Sequence, residues 1–319
     1  MAIRQARRLH VLALGILTTL TLTACGGDKP GSEVPLSGPV VIDGSSTVEP
    51  LSVAAGKLFT AEHPEVRVEV TASGTGGGFK KFCAGQIDIS DASRPMSAAE
   101  STQCGQHGVI FNALQVANDA LTVVVHKDNT WAKCLTVEQL KKMWEPSSTV
   151  KNWNEIDPSF PNEPLSLYGA GSDSGTFDYF TQVINGKEGA SRTDYRASED
   201  DNLTVEGVAS AKGALGYFGY SYFEEHTDTL RAVEINGGKG CIAPSVPTAQ
   251  DGSYKPLARP LFIYLTDTAL KKPQVEKFAE FYINHNAKIV EAAGFIPMTS
   301  PQISQARAEL ADIMETAGQ

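Results

Sequence analysis

Three short segments rich in Gly, Ser and Thr carry the side chains best suited to chemistry in this sequence. Each follows an apolar, strand-like stretch: residues 43–47 follow 40–42, residues 73–78 follow 66–70, and residues 171–176 follow 165–168. Glycine lets backbone N–H groups converge on one point, and a helix beginning there adds partial positive charge. The hydroxyl groups of Ser73 and Thr75 are further donors. Because the pattern recurs three times, we expect the segments to share one small anionic ligand.

Other kinds of chemistry fit these segments less well. The second segment lacks the Lys-Ser/Thr ending of a nucleoside-triphosphate loop, and its glycine spacing matches no dinucleotide-binding pattern. The six histidines have no metal-ligand spacing, so no metal site is predicted. Ser174 stands in Ser-Asp-Ser-Gly-Thr, which is not the G-x-S-x-G turn of a serine hydrolase. We therefore favour a binding protein without a cofactor, and keep a phosphate-ester hydrolase as an alternative.

Length and composition are those of an ordinary globular chain. The 319 residues, 41% hydrophobic and 20% charged, leave room for one large or two medium domains. The formal net charge is −10, and there is no basic patch and no zinc-finger spacing. These features argue against a nucleic-acid partner.

The N-terminus has the pattern of an export signal. Arg4, Arg7 and Arg8 precede a short apolar run at residues 11–22. A membrane anchor is the other interpretation, but the run is short and rich in Thr for a transmembrane helix. We therefore expect residues 1–24 to be a signal peptide, whose removal would change the net charge from −10 to −13.

A cysteine follows this run directly, in the order Leu-Thr-Ala-Cys. The order resembles the bacterial lipobox, in which the cysteine is lipidated and becomes the new N-terminus, so we expect lipidation at Cys25. An ordinary signal peptide without a lipid is the alternative. Residues 25–38 are rich in Gly, Pro and Ser and should form a flexible tether. The expected location is the periplasm or the cell surface, with a lipid anchor in the membrane.

Four cysteines remain after Cys25. An even number in an exported chain indicates two disulfides, with three possible connectivities. We favour Cys83–Cys104, which closes a local loop, together with Cys134–Cys241. A metal site is the competing interpretation, but there is no CxxC spacing and no neighbouring His cluster.

Predicted strands alternate with predicted helices, which favours an α/β fold with mostly parallel sheets. Apolar periodicity and capping residues predict helices at 49–61, 97–103, 136–144, 177–184, 203–212, 273–291 and 304–315. A strand is expected at 110–116. Two strongly apolar strands, 121–126 and 261–265, are candidates for two chain crossings between lobes. Ligands of open α/β sheets bind beyond the carboxyl ends of the strands, where the three hydroxyl segments lie.

Six motifs, spread over almost the whole mature chain, stand in the order found in one known family. They lie at 43–50, 73–79, 91–96, 173–177, 186–192 and 213–217. Together they resemble the phosphate-binding subunit of the phosphate-specific ABC transporter, a class II periplasmic binding protein. The resemblance implies two lobes with a ligand cleft between them, binding of inorganic phosphate, and its delivery to the transporter's permease subunits. We expect a monomer, with lobe 1 at 39–119 and 260–319 and lobe 2 at 120–259.

The resemblance also implies which residues hold phosphate. Carried over one by one, they are Ser46, Thr47, Thr75, Ser93, Ser174, Gly175 and Thr176. Some family members have an Arg just upstream of the Ser-Gly-Thr motif, where this chain has Gly-Ala-Gly. We expect Arg94 and Arg192 to supply that positive charge instead.

Discrimination between phosphate and sulfate requires an acceptor for the proton that hydrogen phosphate carries. The acidic candidates are Asp43, Asp91 and Asp173, each of which could equally cap a helix or order a loop. The sequence does not choose among them. A receptor for another oxyanion, such as sulfate, molybdate or a phosphonate, is the main alternative, and a surface interaction protein with a vestigial cleft is another.

Overall fold

The structure is a computed structural model that describes residues 35–172, 174–198 and 200–318. The expected signal peptide, the lipidated Cys25 and residues 25–34 of the expected tether lie outside the described residues, and so does Asp173. Among the helices that are described, none is both long enough and apolar enough to cross a membrane.

Strands and helices alternate along the described residues. The strands are β1 (Gly38–Gly44), β2 (Val66–Ala72), β3 (Ile89–Ala92), β4 (Phe111–His126), β5 (Cys134–Thr136), β6 (Ser166–Ala170), β7 (Arg196–Ser198), β8 (Ala214–Gly219), β9 (Leu230–Ala232), β10 (Glu234–Asn236), β11 (Cys241–Ile242) and β12 (Ala258–Thr266). The helices are α1 (Glu49–Glu62), α2 (Thr75–Cys83), α3 (Ala98–Gln106), α4 (Val137–Trp144), α5 (Gly175–Phe180), α6 (Asp201–Ala209), α7 (Tyr220–Glu224), α8 (Val246–Gln250), α9 (Asp267–Leu270), α10 (Pro273–Asn284), α11 (Asn286–Ala293) and α12 (Ser300–Ala317). A 3-10 turn covers Trp153–Glu155, and a π-helical segment, Thr181–Asn185, continues α5.

A nine-stranded sheet runs through the described part of the chain in the order β2-β1-β3-β12-β4-β8-β6-β7, and β9 also pairs with β4. β1 is parallel to both of its neighbours, β2 and β3, and β6 is parallel to both β7 and β8. The middle of the sheet is antiparallel, because β12 runs against β3 and β4, and β4 runs against β8. The sheet is therefore mixed, with parallel strands at its two ends. A separate small sheet has the order β11-β10-β5.

One long strand, β4, replaces the two strands expected at 110–116 and 121–126. Its first half pairs with β12 and its second half pairs with β8 and β9. The second half is apolar because it is buried among these neighbours, as expected, but its partners are antiparallel and not parallel. β4 and β12 thus form a continuous connection across the middle of the sheet.

The two largest of the four hydrophobic cores formed by the described residues lie on either side of this connection. One takes its residues from Val40 to Ala117 and from Leu261 to Ile313. The other takes them from Ala120 to Leu257 and adds Ile296. Because each core has its own strands and helices, the fold is two-lobed, as expected.

The second Gly-rich segment was expected to be a loop, but in the structure it forms the start of helix α2. α2 begins at Thr75, so the three glycines that follow lie in its first turns. A Cβ on Gly78 would lie 2.6 Å from Gly44 Cα and 2.7 Å from Ser90 Oγ. The approach of α2 to the sheet therefore requires glycine at this position and outweighs its low helix propensity.

Helix boundaries follow capping residues where these exist. Ser97 and Glu100 form the capping box at the start of α3, as predicted. The helix expected over 273–291 is divided at His285 into α10 and α11. The buried Asn286 begins α11 and donates its Nδ2 to the Val116 carbonyl oxygen (2.6 Å), which ties this break to β4.

Both disulfides join the cysteine pairs that we favoured. Cys83–Cys104 links α2 to α3, and Cys134–Cys241 links β5 to β11. Each disulfide lies within one lobe, so neither restrains one lobe against the other.

Candidate functional site

The first hydroxyl segment forms the turn between β1 and α1. Ser45 N–H donates to the Asp91 carbonyl oxygen (2.9 Å), and Val48 N–H donates to the Ser45 carbonyl oxygen (3.1 Å). Ser45 Oγ accepts a further hydrogen bond from Thr47 N–H (3.2 Å). These bonds hold the turn against β3, and the hydroxyl groups of Ser46 and Thr47 remain available for contacts with the second lobe.

The second hydroxyl segment meets the turn that follows β3. Thr75 Oγ1 lies 3.1 Å from Ser93 Oγ and accepts a hydrogen bond from Ser93 N–H (3.2 Å). Gly74, just before α2, has φ of 77°, in the left-handed region that favours glycine. Two strand ends of lobe 1 therefore present hydroxyl groups side by side.

The turn between β6 and α5 brings the second lobe against the first. Thr47 Oγ1 donates to the Gly175 carbonyl oxygen (3.2 Å), and Ser46 Oγ donates to Asp178 Oδ2 (3.5 Å). A Cβ on Gly175 would lie 2.5 Å from Thr47 N, 2.6 Å from Thr47 Oγ1 and 2.7 Å from Ser46 Oγ. Glycine at this position therefore permits a contact between the lobes that a side chain would prevent.

A cavity of about 320 Å³ lies where these turns meet. Residues of both lobes line it: Ser45, Ser46, Thr47, Gly74, Thr75, Gly76, Ser93, Arg94, Gly175, Asp178, Tyr179, Gln182, Val183, Glu188 and Arg259. Near the turns the lining consists mainly of hydroxyl groups and of backbone N–H groups at glycine residues. Both kinds of group can donate hydrogen bonds to an anion. We call this cavity the cleft.

A neighbouring cavity of about 350 Å³ shares Ser46, Thr47 and Gly175 with the cleft. Ser174 and Thr176 line this second cavity and are absent from the described lining of the cleft. Ser174 Oγ accepts a hydrogen bond from Thr176 N–H (3.2 Å), so it acts as the N-cap of α5.

Arg94 lies at the edge of the cleft and is paired with an acid of its own lobe. Its Nη1 and Nη2 donate to the two carboxylate oxygens of Glu100 at 2.9 and 2.8 Å, and Nη1 also donates to the Pro95 carbonyl oxygen. The guanidinium lies 5.6 Å from the centroid of the Phe79 ring. Hydrogen bonding to Arg94 lowers the pKa of Glu100 to about 2. The charge of Arg94 is therefore already balanced, and its side chain remains 46% exposed.

Arg259 is the second positive residue of the cleft lining, and its side chain is only 8% exposed. Its Nε donates to Asp119 Oδ2 (3.2 Å), and its Nη2 donates to Thr47 Oγ1 (2.8 Å). The guanidinium carbon lies 3.5 Å from the centroid of the Tyr179 ring. Arg259 and Asp119 are direct partners in the β12–β4 ladder. The ion pair thus lies where the chain passes between the two cores.

Asp178, in the first turn of α5, is an acidic residue of the cleft lining. Burial raises the pKa of its carboxyl group, and the negative charge of Glu188 raises it further, whereas the hydrogen bond from Ser46 and the charge of Arg259 oppose the shift. A carboxylate with a raised pKa inside a cleft can accept a proton or a hydrogen bond from a ligand.

Asp43 and Asp91 lie behind the turns and do not appear in the described cleft lining. Asp43 accepts hydrogen bonds from Ser73 N–H (2.9 Å) and from Lys81 Nζ. Burial alone would raise the pKa of Asp43, but these bonds outweigh it and the pKa is lowered. Asp43 therefore orders the second hydroxyl segment.

The carboxyl group of Asp91 is fully buried between the sheet and α1. Its Oδ1 accepts a hydrogen bond from Ser52 Oγ (2.9 Å), and its Oδ2 has no hydrogen-bond partner among the described residues. Burial raises the pKa of Asp91 well above its usual range, and the bond from Ser52 opposes this only in part.

Arg192 does not reach the cleft, contrary to our expectation. Its side chain is 4% exposed, and it is paired with Asp194 (Nη2 to Oδ2, 2.9 Å). Its Nη1 donates to the carbonyl oxygens of Met143 and Val150 at 3.0 and 3.1 Å. These contacts tie the end of α4 to the loop that follows it, so Arg192 serves the packing of lobe 2.

The family described as the PBP superfamily domain matches residues 30–286. The chain belongs to the PBP superfamily. Protein SphX of Synechocystis sp. is 44% identical over 285 residues, which cover 88% of this chain and 83% of SphX. Phosphate-binding protein PstS of Staphylococcus saprophyticus is 34% identical over 298 residues, covering 93% of this chain and 92% of PstS. A solved structure of a possible phosphate binding protein from Planctomyces limnophilus has a TM-score of 0.84 and 46% identity, covering 88% of this chain and 99% of that chain.

The cleft of this PBP-superfamily protein unites most of the residues expected from the sequence, namely Ser46, Thr47, Thr75, Ser93, Arg94 and Gly175. Sequence reasoning missed Arg259 and Asp178. Arg259 stands just before Pro260 and the apolar strand expected at 261–265. A charged residue at the end of such a strand could have indicated a functional role. Asp178 was harder to identify from the sequence, because acidic residues are common in the first turn of a helix.

Proposed function

We propose that the cleft binds inorganic phosphate outside the cytoplasm, and that the protein delivers it to the permease subunits of an ABC transporter. The observation that carries the proposal is that strand-end turns of both lobes meet at one cavity lined by hydroxyl groups. The PstS relative is a phosphate-binding protein, and the solved structure at 46% identity is a possible phosphate binding protein. Both support phosphate as the ligand.

The proposed ligand set combines both lobes. Lobe 1 contributes the hydroxyl groups of Ser46, Thr47, Thr75 and Ser93, and lobe 2 contributes the backbone at Gly175, at the start of α5. Hydrogen bonds to a charged phosphate oxygen are about twice as strong as neutral ones. Such short-range donors can overcome the long-range repulsion expected from the net charge of −13 that the protein would carry after removal of residues 1–24.

We assign residues 39–119 and 260–319 to lobe 1 and residues 120–259 to lobe 2, since the two hydrophobic cores divide close to these positions. Phosphate held between them would favour a closed arrangement whose surface the permease recognises. A lipid on Cys25 and a tether at 25–38 would keep the protein at the membrane surface. One chain supplies both walls of the cleft, which supports a functional monomer.

Selectivity for phosphate over sulfate requires an acceptor for the ligand's proton. Asp178 lines the cleft and is our first choice. Asp91, whose Oδ2 has no hydrogen-bond partner among the described residues, is the alternative. Asp178→Asn should reduce the preference for phosphate over sulfate by about 10-fold or more, because an amide donor can face sulfate without penalty. If Asp91→Asn and not Asp178→Asn removes the preference, Asp91 is the acceptor.

We propose binding without turnover. No described residue of the cleft lining is a histidine, the general base that most often activates a nucleophile, or a cysteine, which is itself a common nucleophile. Release of product from an aryl phosphate, abolished by Ser174→Ala, would contradict this part of the proposal.

The experiment is equilibrium dialysis of the purified protein against radiolabelled phosphate, with unlabelled sulfate, molybdate and methylphosphonate as competitors. We expect saturable binding of one phosphate per chain that sulfate does not displace. Thr75→Val removes a hydroxyl group with little change of shape and should weaken binding about 10- to 100-fold.

The matched control is Thr102→Val, because Thr102 Oγ1 donates to the Ala98 carbonyl oxygen of its own helix, on the exposed side of α3. It should bind phosphate like the wild-type protein. Absence of phosphate binding would contradict the proposal, and equal displacement by sulfate would indicate a receptor for oxyanions in general.

A further inference from the structure

We infer that Arg259 is the cation that binds the phosphate, and that it couples the bound anion to both lobes at the point where the chain crosses between them. The inference rests on the proposed function. It also replaces the two arginines expected from the sequence, since Arg192 is absent from the described lining of the cleft and Glu100 engages both Nη atoms of Arg94.

The guanidinium of Arg259 is buried and held in a fixed orientation. Asp119 holds Nε, Thr47 holds Nη2, and the ring of Tyr179 covers one face of the group. Tyr179 is itself fixed, because its hydroxyl donates to the Pro256 carbonyl oxygen. A guanidinium held on three sides is pre-organised and loses little conformational freedom when it binds a ligand.

The guanidinium also has one nitrogen that is not engaged by the described residues. The hydrogen bonds of Arg259 to those residues use Nε and Nη2, and none of them uses Nη1. Because the side chain lines the cleft, an anion bound there can accept a hydrogen bond from Nη1. Both Nη atoms of Arg94 are, by contrast, already engaged by Glu100.

Arg259 also lies where the chain passes between the two lobes. Arg259 and Asp119 face each other across β12 and β4, between Ala117 and Leu261 of one core and Ala120 and Leu257 of the other. From this point the guanidinium contacts Thr47 of lobe 1 and Tyr179 of lobe 2. An anion bound to Nη1 would therefore be linked to both lobes through one rigid group, and Asp119 acts as a positioning residue for it.

The test compares Arg259→Gln with Arg94→Gln in equilibrium dialysis with phosphate, using the full chain. We expect Arg259→Gln to weaken phosphate binding at least 100-fold and Arg94→Gln to weaken it less than 5-fold. Small-angle scattering adds a second measurement: phosphate should reduce the radius of gyration of the wild-type protein and of Arg94→Gln, but not of Arg259→Gln at the same concentration.

Thermal unfolding without phosphate shows whether each variant folds. If Arg259→Gln does not fold, Arg259→Lys is used instead, because lysine keeps the charge but cannot hold Thr47 and an anion at the same time. A 10-fold or greater loss of phosphate affinity in this variant supports the inference. Wild-type affinity in whichever of these Arg259 variants folds would overturn it and leave the proposed function intact. Failure of the wild-type protein to bind phosphate would overturn both.

Discussion

The contact between the lobes at Gly175 gives a sharp test of how the cleft works. In Gly175→Ala, the added Cβ would lie 2.5 Å from Thr47 N, whereas ordinary contacts begin at 3.4 Å. Two of the three close atoms, Thr47 Oγ1 and Ser46 Oγ, belong to side chains proposed to bind the anion, so they cannot turn away without a loss. The two turns must therefore separate by roughly 1 Å to restore ordinary van der Waals distances.

The free energy lost when the two turns separate follows from the hydrogen bonds between them. The Thr47 Oγ1–Gly175 O hydrogen bond of 3.2 Å would stretch beyond hydrogen-bonding range, a loss of about 1 kcal/mol. A phosphate bound by both walls would lose at least one charged hydrogen bond, about 2 kcal/mol. The total of about 3 kcal/mol corresponds to a loss of affinity of about 100-fold.

Titration calorimetry with phosphate measures this loss directly. The matched control is Gly105→Ala, because a Cβ on this helical glycine meets no heavy atom within 4 Å; it should bind like the wild-type protein. Gly175→Ala should still fold, since the strain is relieved by separating the lobes. Wild-type affinity in folded Gly175→Ala would refute the reasoning, because it would show that phosphate is bound without the lobe contact.

The remaining predictions concern two arginines. Arg192→Ala should lower the free energy of unfolding by about 3 kcal/mol, because it leaves buried carbonyl oxygens unsatisfied. Calorimetric titration of the folded variant should give wild-type phosphate affinity, and a loss of affinity would show that Arg192 takes part in binding. Glu100→Gln tests the ion pair with Arg94, which holds the pKa of Glu100 at about 2, below the usual 4.5. A lowered pKa means that the carboxylate stabilises the fold above pH 4.5 and loses this effect as the pH falls through about 2. A partly exposed ion pair contributes about 1 kcal/mol, so the melting temperature of Glu100→Gln should be about 2 °C below that of the wild-type protein at neutral pH. Near pH 2 the two proteins should melt at the same temperature. An equal difference at both pH values would contradict this interpretation.

The hydroxyl turns were predictable because local sequence determines them. A strand followed by Gly, Ser and Thr places donors at a strand end, and parallel strands bring those ends together. The three segments could thus be assigned to one site before any packing was known, and the family resemblance named Ser46, Thr75 and Gly175 within them. The capping box of Ser97 was predictable for the same reason.

The charged members of the site depend on contacts distant in sequence. Arg259 becomes part of the cleft only because β12 pairs with β4, which places it opposite Asp119. Arg192 is 17 residues after Gly175 and looked equally available, but the carbonyl oxygens of lobe 2 engage it. Long side chains can reach many partners, so their roles are set by tertiary structure.

A crystal structure of the protein with phosphate tests the central claim most directly. We predict a single tetrahedral anion in the cleft, in contact with both lobes. It should lie within hydrogen-bonding distance of Thr75 Oγ1, of the backbone at Gly175 and of Arg259 Nη1. A phosphate bound elsewhere on the chain, or held by the residues of one lobe alone, would contradict it.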